Sequence, residues 1–245
     1  MTKFLASVRN ADEAETALQA GADIIDLKEP DGGALGAVSP KTAAVVVAQI
    51  GGRAKVSATI GDLPMVPESV QAAIETTAKT GADYVKFGVF PGPGAEACLG
   101  ALVPPAGGAG LVAVLFADDL PKFEYLPILK NIGVAGVMLD TRRKGHGSLL
   151  DHLHLASLRR FVETVQQEGV MAGLAGSLKP HHLQYLLPLQ PDLLGFRGAL
   201  CDGETRNNAM DAARCAKIRA LIPQEVRQEP LTQSPLPDGG AAPIC

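Results

Sequence analysis

An eight-residue pattern recurs four times along the chain at nearly constant spacing, and it narrows the possible folds sharply. GADIIDLK begins at Gly21 and GADYVKFG at Gly81, and weaker copies, GVAGVMLD and QPDLLGFR, begin at Gly133 and Gln190. The starts are 60, 52 and 57 residues apart, about two βα units each. Each copy is typical of a strand, so the copies fall on every second strand of an eight-stranded protein. This arrangement favours a closed barrel with fourfold-related strands over an open sheet.

Apolar and β-branched runs alternate with segments of helical spacing up to about residue 222. Helix starts are marked by side-chain chemistry: Asn10 with Glu13 has the form of a capping box, and Ser39 precedes Pro40 at a first helical position. The alternation predicts an α/β fold, a (β/α)₈ TIM barrel. The eight predicted strands are Phe4 to Val8, Asp23 to Lys28, Lys55 to Ile60, Tyr84 to Val89, Leu111 to Ala117, Gly136 to Thr141, Met171 to Gly176 and Leu193 to Ala199.

Length and composition agree with a single barrel. The chain has 245 residues, close to the roughly 250 typical of this fold. Aromatic residues make up only 4% of a chain that is 47% hydrophobic, which is typical of small aliphatic side chains packed between parallel strands and helices. We predict a catalytic barrel domain over residues 1–222. Residues 223–245, rich in Pro, Gly, Gln and Ser, are predicted to form a flexible tail, because they cannot bury much apolar surface.

The charge pattern excludes several classes of partner. With 22 basic and 26 acidic residues the net charge is −4, so no global basic field exists to bind nucleic acid or an anionic membrane. No long apolar run indicates a transmembrane helix, and the N-terminus turns acidic too early for a secretory signal, so we expect a cytoplasmic protein with a small substrate. We expect the four cysteines, which include no CxxC pair, to be free thiols: Cys98, Cys201, Cys215 and Cys245.

The sixth and eighth positions of the repeat carry an unusual number of charges. These positions are two residues apart, so their side chains point to the same face of each strand, the predicted barrel interior. Alternate strands of a barrel supply side chains to shared interior layers, so the charges should meet near the carboxyl ends of the strands. Buried charges are costly unless they are paired or used, which favours a catalytic site over solvated strand ends. The charged residues are Asp26, Lys28, Lys86, Asp140 and Arg197.

Clustered lysines of this kind point to imine chemistry. In a partly desolvated pocket beside another cation, the ammonium form of a lysine is disfavoured, and the neutral amine can attack a carbonyl carbon. Asp26 and Asp140 can move protons or orient the ammonium groups. Spacing alone does not decide which lysine attacks. Replacing Lys86 with alanine is expected to remove activity while leaving folding largely intact.

Two glycine-containing segments suggest phosphate binding. AGSLKP, residues 175–180, follows the seventh strand, and GFRG, residues 195–198, spans the end of the eighth. Open backbone N–H groups at these places form the usual phosphate cradle of this fold. Glycine at helix ends for purely steric reasons is the alternative interpretation. The predicted phosphate-binding residues are Gly176, Ser177, Leu178, Arg197 and Gly198.

We predict no metal and no cofactor. Asp151, His152 and His154 could be imagined as metal ligands. Alternate residues at the start of a helix diverge in direction, however, so a helix cap with surface histidines is favoured.

Five segments are specific enough to indicate a family: SVRNADEAETALQAGADIIDLKEPDGGALGA (Ser7 to Ala37), GADYVKFGVF (Gly81 to Phe90), GVMLDTRRKG (Gly136 to Gly145), GLAGSLKP (Gly173 to Pro180) and LLGFRGALC (Leu193 to Cys201). In them the chain resembles the (5-formylfuran-3-yl)methyl phosphate synthases of methanofuran biosynthesis. The segments span nearly all of the chain up to about Leu221, and DLKEPDGGALGA is the most distinctive part.

The resemblance implies a lyase that joins two molecules of glyceraldehyde 3-phosphate with loss of one phosphate and two waters, one substrate first isomerising to its ketone. By motif, Lys28 matches the Schiff-base lysine and Lys86 the proton-transferring lysine. Asp26, Asp140 and Lys144 match the rest of the catalytic cluster. The resemblance also implies a role in a C1-carrier cofactor of methanogens or one-carbon-oxidising bacteria, and a homo-oligomer.

One departure from the family pattern and two alternative functions remain. Gly145-His146-Gly147 follows Lys144, where family members often have an acidic residue, and this puts the role of the loop in doubt. Within enzymes, a class I aldolase or a triose-phosphate isomerase-like activity would share the barrel, the cradle and the lysine. From another class, a non-catalytic sugar-phosphate sensor that signals through its tail would bind ligand without turnover.

Overall fold

The structure is a computed structural model that describes residues 1–119 and 121–223. Its eight strands form one closed parallel barrel in chain order, in which β8 also pairs with β1. The predicted (β/α)₈ barrel is therefore confirmed. The strands are β1 Lys3–Val8, β2 Ile24–Leu27, β3 Lys55–Thr59, β4 Tyr84–Gly88, β5 Gly110–Phe116, β6 Gly136–Asp140, β7 Met171–Leu174 and β8 Leu193–Phe196.

Helices surround the barrel, and the main apolar core lies between them and the outer faces of the strands. A smaller apolar cluster, which includes Leu5, Val112 and Met138, is separate from this main core. No helix in the described ranges is long and apolar enough to cross a lipid bilayer. The α-helices in these ranges are α1 Ala11–Gln19, α2 Pro40–Ile50, α3 Pro67–Ala78, α4 Ala95–Ala101, α5 Leu126–Asn131, α6 Leu149–His152, α7 Leu155–Gln167, α8 Leu183–Leu186 and α9 Ala212–Leu221.

Seven of the eight strands end one to three residues before their predicted carboxyl limits, whereas β1 ends at Val8 as predicted. Pairing between β7 and β8 stops at Leu174 and Leu194, and Gly176 has a φ of 106° that no strand residue adopts. Apolar composition continues past the last ladder hydrogen bond, so it overestimates strand length. Lys28 and Arg197 consequently lie just beyond β2 and β8, at the mouth of the barrel.

The first repeat position is explained by backbone geometry. Gly21, Gly81, Gly133 and Gln190 all have a left-handed backbone, with φ between 53° and 87°. Each ends the connection from a helix and turns the chain into the next strand, where glycine carries no steric penalty.

The third repeat position holds a carboxylate that serves the preceding strand. Asp23 Oδ2 accepts a hydrogen bond from the backbone N–H of Phe4 at 2.7 Å. Asp192 Oδ2 accepts from the backbone N–H of Ala172 in β7 at 2.8 Å, and Asp83 Oδ2 accepts from that of Val56 in β3 at 2.9 Å. The β6 copy has Ala135 at this position and lacks the bond. These carboxylates lie at the amino end of the barrel, away from the charged interior positions, so the most regular part of the repeat is structural.

Removing one of these carboxylates should cost stability without changing the chemistry. Asp192→Ala leaves the N–H of the buried Ala172 without its acceptor, so we expect unfolding free energy to fall by about 1–3 kcal/mol. Asp192→Asn keeps an acceptor oxygen and serves as the matched control. Urea unfolding measures both variants. If Asp192→Ala were as stable as the parent protein, the carboxylate would not have this role.

The predicted helix starts are largely confirmed. Asn10 Oδ1 accepts from Glu13 N at 2.9 Å, and Ser39 Oγ accepts from Thr42 N at 3.1 Å. The capping box at Asn10 is incomplete, because the Glu13 carboxylate instead accepts from Arg9 N at 2.9 Å and pairs with Arg197.

Three cysteines, Cys98, Cys201 and Cys215, are buried free thiols as predicted. The fourth, Cys245, lies outside the described residues, as do nearly all of the residues predicted to form a flexible tail.

Candidate active site

A cavity of about 350 Å³ opens at the carboxyl ends of the strands, where barrels of this type carry their chemistry. Its volume is within the range of small-molecule sites. All five predicted catalytic residues line it, together with the five predicted phosphate-binding residues. Although the chain is acidic overall, positive side chains outnumber carboxylates in the lining, so the cavity favours an anionic ligand. The charged lining residues are Lys28, Lys86, Lys144, Lys179, Arg197, Arg206, Asp26, Asp140 and Glu204.

Asp26 is completely buried and contributes to the wall of the cavity. Its Oδ1 accepts from Lys86 Nζ at 2.9 Å and from Ser57 Oγ at 2.5 Å. Its Oδ2 accepts from Ser7 Oγ at 2.8 Å. The two serines were missed from the sequence, although both occupy inward positions in register with Asp26 on the flanking strands. The carboxylate is therefore held from three sides, and it fixes the Lys86 ammonium.

Burial of Asp26 changes the expectation for Lys86→Ala. Without the ammonium, a charged carboxylate would stay in the interior with only two hydroxyl partners. Breaking a buried ion pair from one side is strongly destabilising, so this substitution should affect folding as well as activity.

Asp140 organises a second cluster nearer to the mouth. Its Oδ2 lies 3.2 Å from Lys28 Nζ, and its Oδ1 lies 2.7 Å from Lys144 Nζ. The backbone N–H of Thr141 donates to the same Oδ1 at 2.7 Å. Lys144 also contacts the Thr141 carbonyl. Lys144 thus makes these contacts although Gly145-His146-Gly147 follows it in place of the acidic residue often found in the family. His146 is exposed to solvent.

The surroundings of Lys28 make its amine easier to deprotonate than a lysine in water. Burial lowers the pKa of the Lys28 amine, Asp140 partly restores it, and the positive charges of Lys144 and Lys86 lower it again, to about 8. Burial by itself raises the pKa of Asp140, but Lys144 and Lys28 together hold it well below its ordinary value. Near physiological pH an appreciable fraction of this amine is therefore neutral, and a neutral amine beside a carboxylate is suited to nucleophilic attack on a carbonyl carbon.

The loop after β7 presents an open backbone to the cavity. A Cβ on Gly176 would lie 3.0 Å from the amide nitrogen of Thr141, so only glycine fits the close approach of the two loops. Ser177 has a φ of 49°, which is uncommon for a residue other than glycine. Among the described residues, the N–H groups of Ser177, Leu178 and Gly198 find no acceptor. These free donors are suited to an anion such as a phosphate.

Arg197 lines the cavity, but its guanidinium is already engaged. It forms an ion pair with Glu13 through both terminal nitrogens. Its remaining N–H groups reach the carbonyl oxygens of Ser7 at 3.2 Å, Arg206 at 2.8 Å and Asn208 at 3.3 Å. A guanidinium has five N–H groups, and all are used. The predicted phosphate contact of Arg197 would therefore require this arrangement to open.

Arg206 is a cavity residue that was missed from the sequence. It lies in the loop between β8 and α9, outside the repeat, and its side chain reaches the carbonyl oxygen of Gly33 at 3.0 Å. Nothing in the local pattern distinguishes it from a solvated loop arginine.

The other titratable motif is a helix cap. Asp151 Oδ2 accepts from Ser148 N at 2.6 Å and from Ser148 Oγ at 2.8 Å at the start of α6. Ser148 is the N-cap and Asp151 the third helical residue, so Asp151 belongs to a helix cap, as the sequence predicted.

Comparison with known proteins identifies one family and several relatives that carry the same name. The family model for 4-HFC-P synthase matches residues 4–219. The chain is 43% identical over 215 residues to a protein of Methylorubrum extorquens named as a (5-formylfuran-3-yl)methyl phosphate synthase, covering 88% of this chain and 89% of the relative. It is 33% identical over 219 residues to the synthase of Archaeoglobus fulgidus, covering 82% and 92%.

Solved structures are similar in fold. Phosphoribosyl anthranilate isomerase of Thermus thermophilus aligns with a TM-score of 0.61 at 15% identity, covering 90% of this chain and 98% of the isomerase. A 3-hexulose-6-phosphate synthase aligns with a TM-score of 0.59 at 16% identity, covering 91% and 100%. At this identity the likeness concerns the barrel alone.

Proposed function

Because the chain belongs to the 4-HFC-P synthase family, we propose that it condenses two molecules of glyceraldehyde 3-phosphate to (5-formylfuran-3-yl)methyl phosphate. The proposed product would serve biosynthesis of methanofuran or a related C1 carrier. The atoms balance when two triose phosphates give one furan phosphate, one inorganic phosphate and two waters, which makes the enzyme a lyase.

The observation that carries the proposal is the environment of Lys28. Its amine is buried in the cavity, has a pKa of about 8 and lies beside Asp140. A structural lysine would keep its charge and its ion pair, whereas a Schiff-base lysine must lose its proton to attack.

The covalent step begins when one triose phosphate is in its ketone form. Lys28 Nζ adds to the ketone carbon, and the adduct loses water to give a protonated imine. The imine withdraws electrons from the neighbouring C–H bond, so a base can remove that proton. The resulting enamine carbon attacks the aldehyde carbon of the second triose phosphate and forms the new C–C bond. Hydrolysis of the imine later returns the Lys28 amine.

Two pairs of groups would move the protons. Lys86, fixed on Asp26, lies on the inner side of the cavity, and Asp140 with Lys144 lies beside the attacking amine. Positioned acids and bases of this type contribute about 10²–10⁴-fold to a rate. The free N–H groups of Ser177, Leu178 and Gly198 would hold a substrate phosphate, as at other anion sites on open backbone.

A product assay tests the function directly. Incubation with glyceraldehyde 3-phosphate should give an ultraviolet-absorbing furan aldehyde and one inorganic phosphate per product. Clean isomerisation or a six-carbon aldol adduct would favour an isomerase or a class I aldolase. Binding without turnover and without an imine would favour a sensor.

The rate of imine formation should depend on pH in a defined direction. Below about pH 8 most Lys28 is ammonium and cannot attack, so the rate should rise about tenfold per pH unit and level off above the pKa. Rapid mixing with triose phosphate, followed by a borohydride quench under fixed conditions, measures this rate.

Lys144→Met provides the control for this profile. Removing the Lys144 charge raises the pKa of Lys28, because it removes a repulsion and leaves Asp140 with fewer competing cations. The midpoint should therefore move to higher pH. A flat profile, or a midpoint that moves downward, would contradict the assignment of Lys28.

A further inference from the structure

The proposed function brings two phosphate groups into one cavity, and the inference below rests on it. The free backbone N–H groups after β7 and β8 provide one anion site. A second phosphate, held at the same time, needs another set of donors that point into the cavity.

Most cations of the cavity are already paired. Lys86 is bound to Asp26, and Lys28 and Lys144 share Asp140. Arg197 uses all five N–H groups, and Lys179 lies 3.5 Å from Glu204 with half of its side chain exposed. Lys144 and Arg197 thus have no unused N–H groups, and the charges of Lys28, Lys86 and Lys179 are partly neutralised by neighbouring carboxylates.

Arg206 differs from all of them. Its one hydrogen bond as a side-chain donor, among the described residues, goes from Nη2 to the carbonyl oxygen of Gly33, and no described carboxylate forms an ion pair with it. The guanidinium is half-buried, and burial lowers its pKa below the ordinary value, although arginine stays charged at any working pH. A partly desolvated cation with several unused donors and no carboxylate partner attracts an anion.

The loop that carries Arg206 is held in place. Arg197 Nε donates to the carbonyl oxygen of Arg206 at 2.8 Å. The next residue, Asn207, donates through Nδ2 to Asp31 Oδ1 at 2.6 Å, and its carbonyl accepts from Arg9 Nη1 at 3.2 Å. The loop after β8 is thereby tied to the loop after β2 across the mouth. Fixing the backbone in advance reduces the entropy lost when a ligand binds.

We propose that Arg206 binds the phosphate of the second triose phosphate, and that Arg197 is a positioning residue that holds the Arg206 backbone. The guanidinium fork meets two phosphate oxygens, as is common for arginine. It thereby places the aldehyde carbon of that substrate over the enamine formed on Lys28.

Phosphate titration of the full chain tests this assignment, even if no furan is formed. Calorimetry with inorganic phosphate should detect two ions bound to the parent protein and one bound to Arg206→Met. Arg206→Lys keeps the charge but loses the fork and should bind the second ion about 10-fold more weakly. Arg159→Met, which removes an exposed arginine of α7 outside the cavity lining, is the matched control and should bind two ions.

Kinetics separate the two substrates. Arg206→Met should raise the KM for condensation about 10- to 100-fold. Trapping of the ketone triose phosphate on Lys28 should change less than about twofold, because that substrate uses the other anion site. Unchanged phosphate binding in Arg206→Met, or equal losses in imine trapping and condensation, would overturn the proposal. A parent protein that binds phosphate through Arg206 but makes no furan would count against the proposed function alone.

Discussion

Lys28→Arg is expected to abolish the covalent intermediate and to lower furan formation by about 10⁴-fold or more. A guanidinium keeps the positive charge beside Asp140 but cannot form an imine at working pH. Borohydride reduction in the presence of triose phosphate should add mass to a peptide containing Lys28 in the parent protein and to none in the variant. Mass spectrometry measures both.

Two further variants sharpen this test. In Lys28→Met the side chain is similar in length to lysine but carries no charge. This variant shows whether the loss of furan formation in Lys28→Arg is due to the added bulk of arginine. Lys55→Arg changes an exposed lysine at the amino end of β3 and should retain full labelling. An adduct that persists in Lys28→Arg, or that maps to Lys86 or Lys144, would contradict the assignment of the nucleophile.

Lys86→Met is expected to reduce turnover and stability together. Turnover should fall by about 10²–10⁴-fold, because a positioned proton carrier is lost. The free energy of unfolding should fall by about 3–5 kcal/mol, because Asp26 would remain charged in the interior without its ammonium partner. Trapping of the ketone triose phosphate on Lys28 should persist. Turnover assays and urea unfolding measure the two effects.

The double variant Lys86→Met with Asp26→Asn separates these effects. Removing both charges eliminates the uncompensated carboxylate, so most of the lost stability should return. Activity should stay low, since the proton carrier is still absent. If Lys86→Met alone unfolded at the same urea concentration as the parent protein, Asp26 would not depend on this ion pair. Recovery of turnover in the double variant would exclude a role for Lys86 in proton transfer.

The two lysine–carboxylate pairs show why position matters more than residue type. Asp26 accepts hydrogen bonds from one lysine and two serine hydroxyls in the interior, whereas Asp140 forms ion pairs with two lysines closer to the mouth. Two cations sharing one carboxylate repel each other, and this repulsion favours the neutral amine of Lys28.

Local periodicity made much of the barrel predictable from the sequence. Side chains alternate every two residues along a strand, so the charges that point inward could be inferred. The longer repeat of about 55 residues along the chain corresponds to two βα units, so the number of strands and the closure of the barrel could also be inferred. Strand ends were less accurate, because the last ladder hydrogen bond depends on the partner strand.

Contacts between distant segments could be identified only in the folded barrel. Lys28 and Asp140 are 112 residues apart, and Glu13 and Arg197 are 184 apart. Which carboxylate each cation reaches depends on the stagger of the closed strands and on loop conformation. Neither of these produces a periodic pattern in the sequence. For this reason the sequence indicated Arg197 as a phosphate ligand, whereas the fold engages its guanidinium with Glu13 and leaves Arg206 with open donors in the cavity.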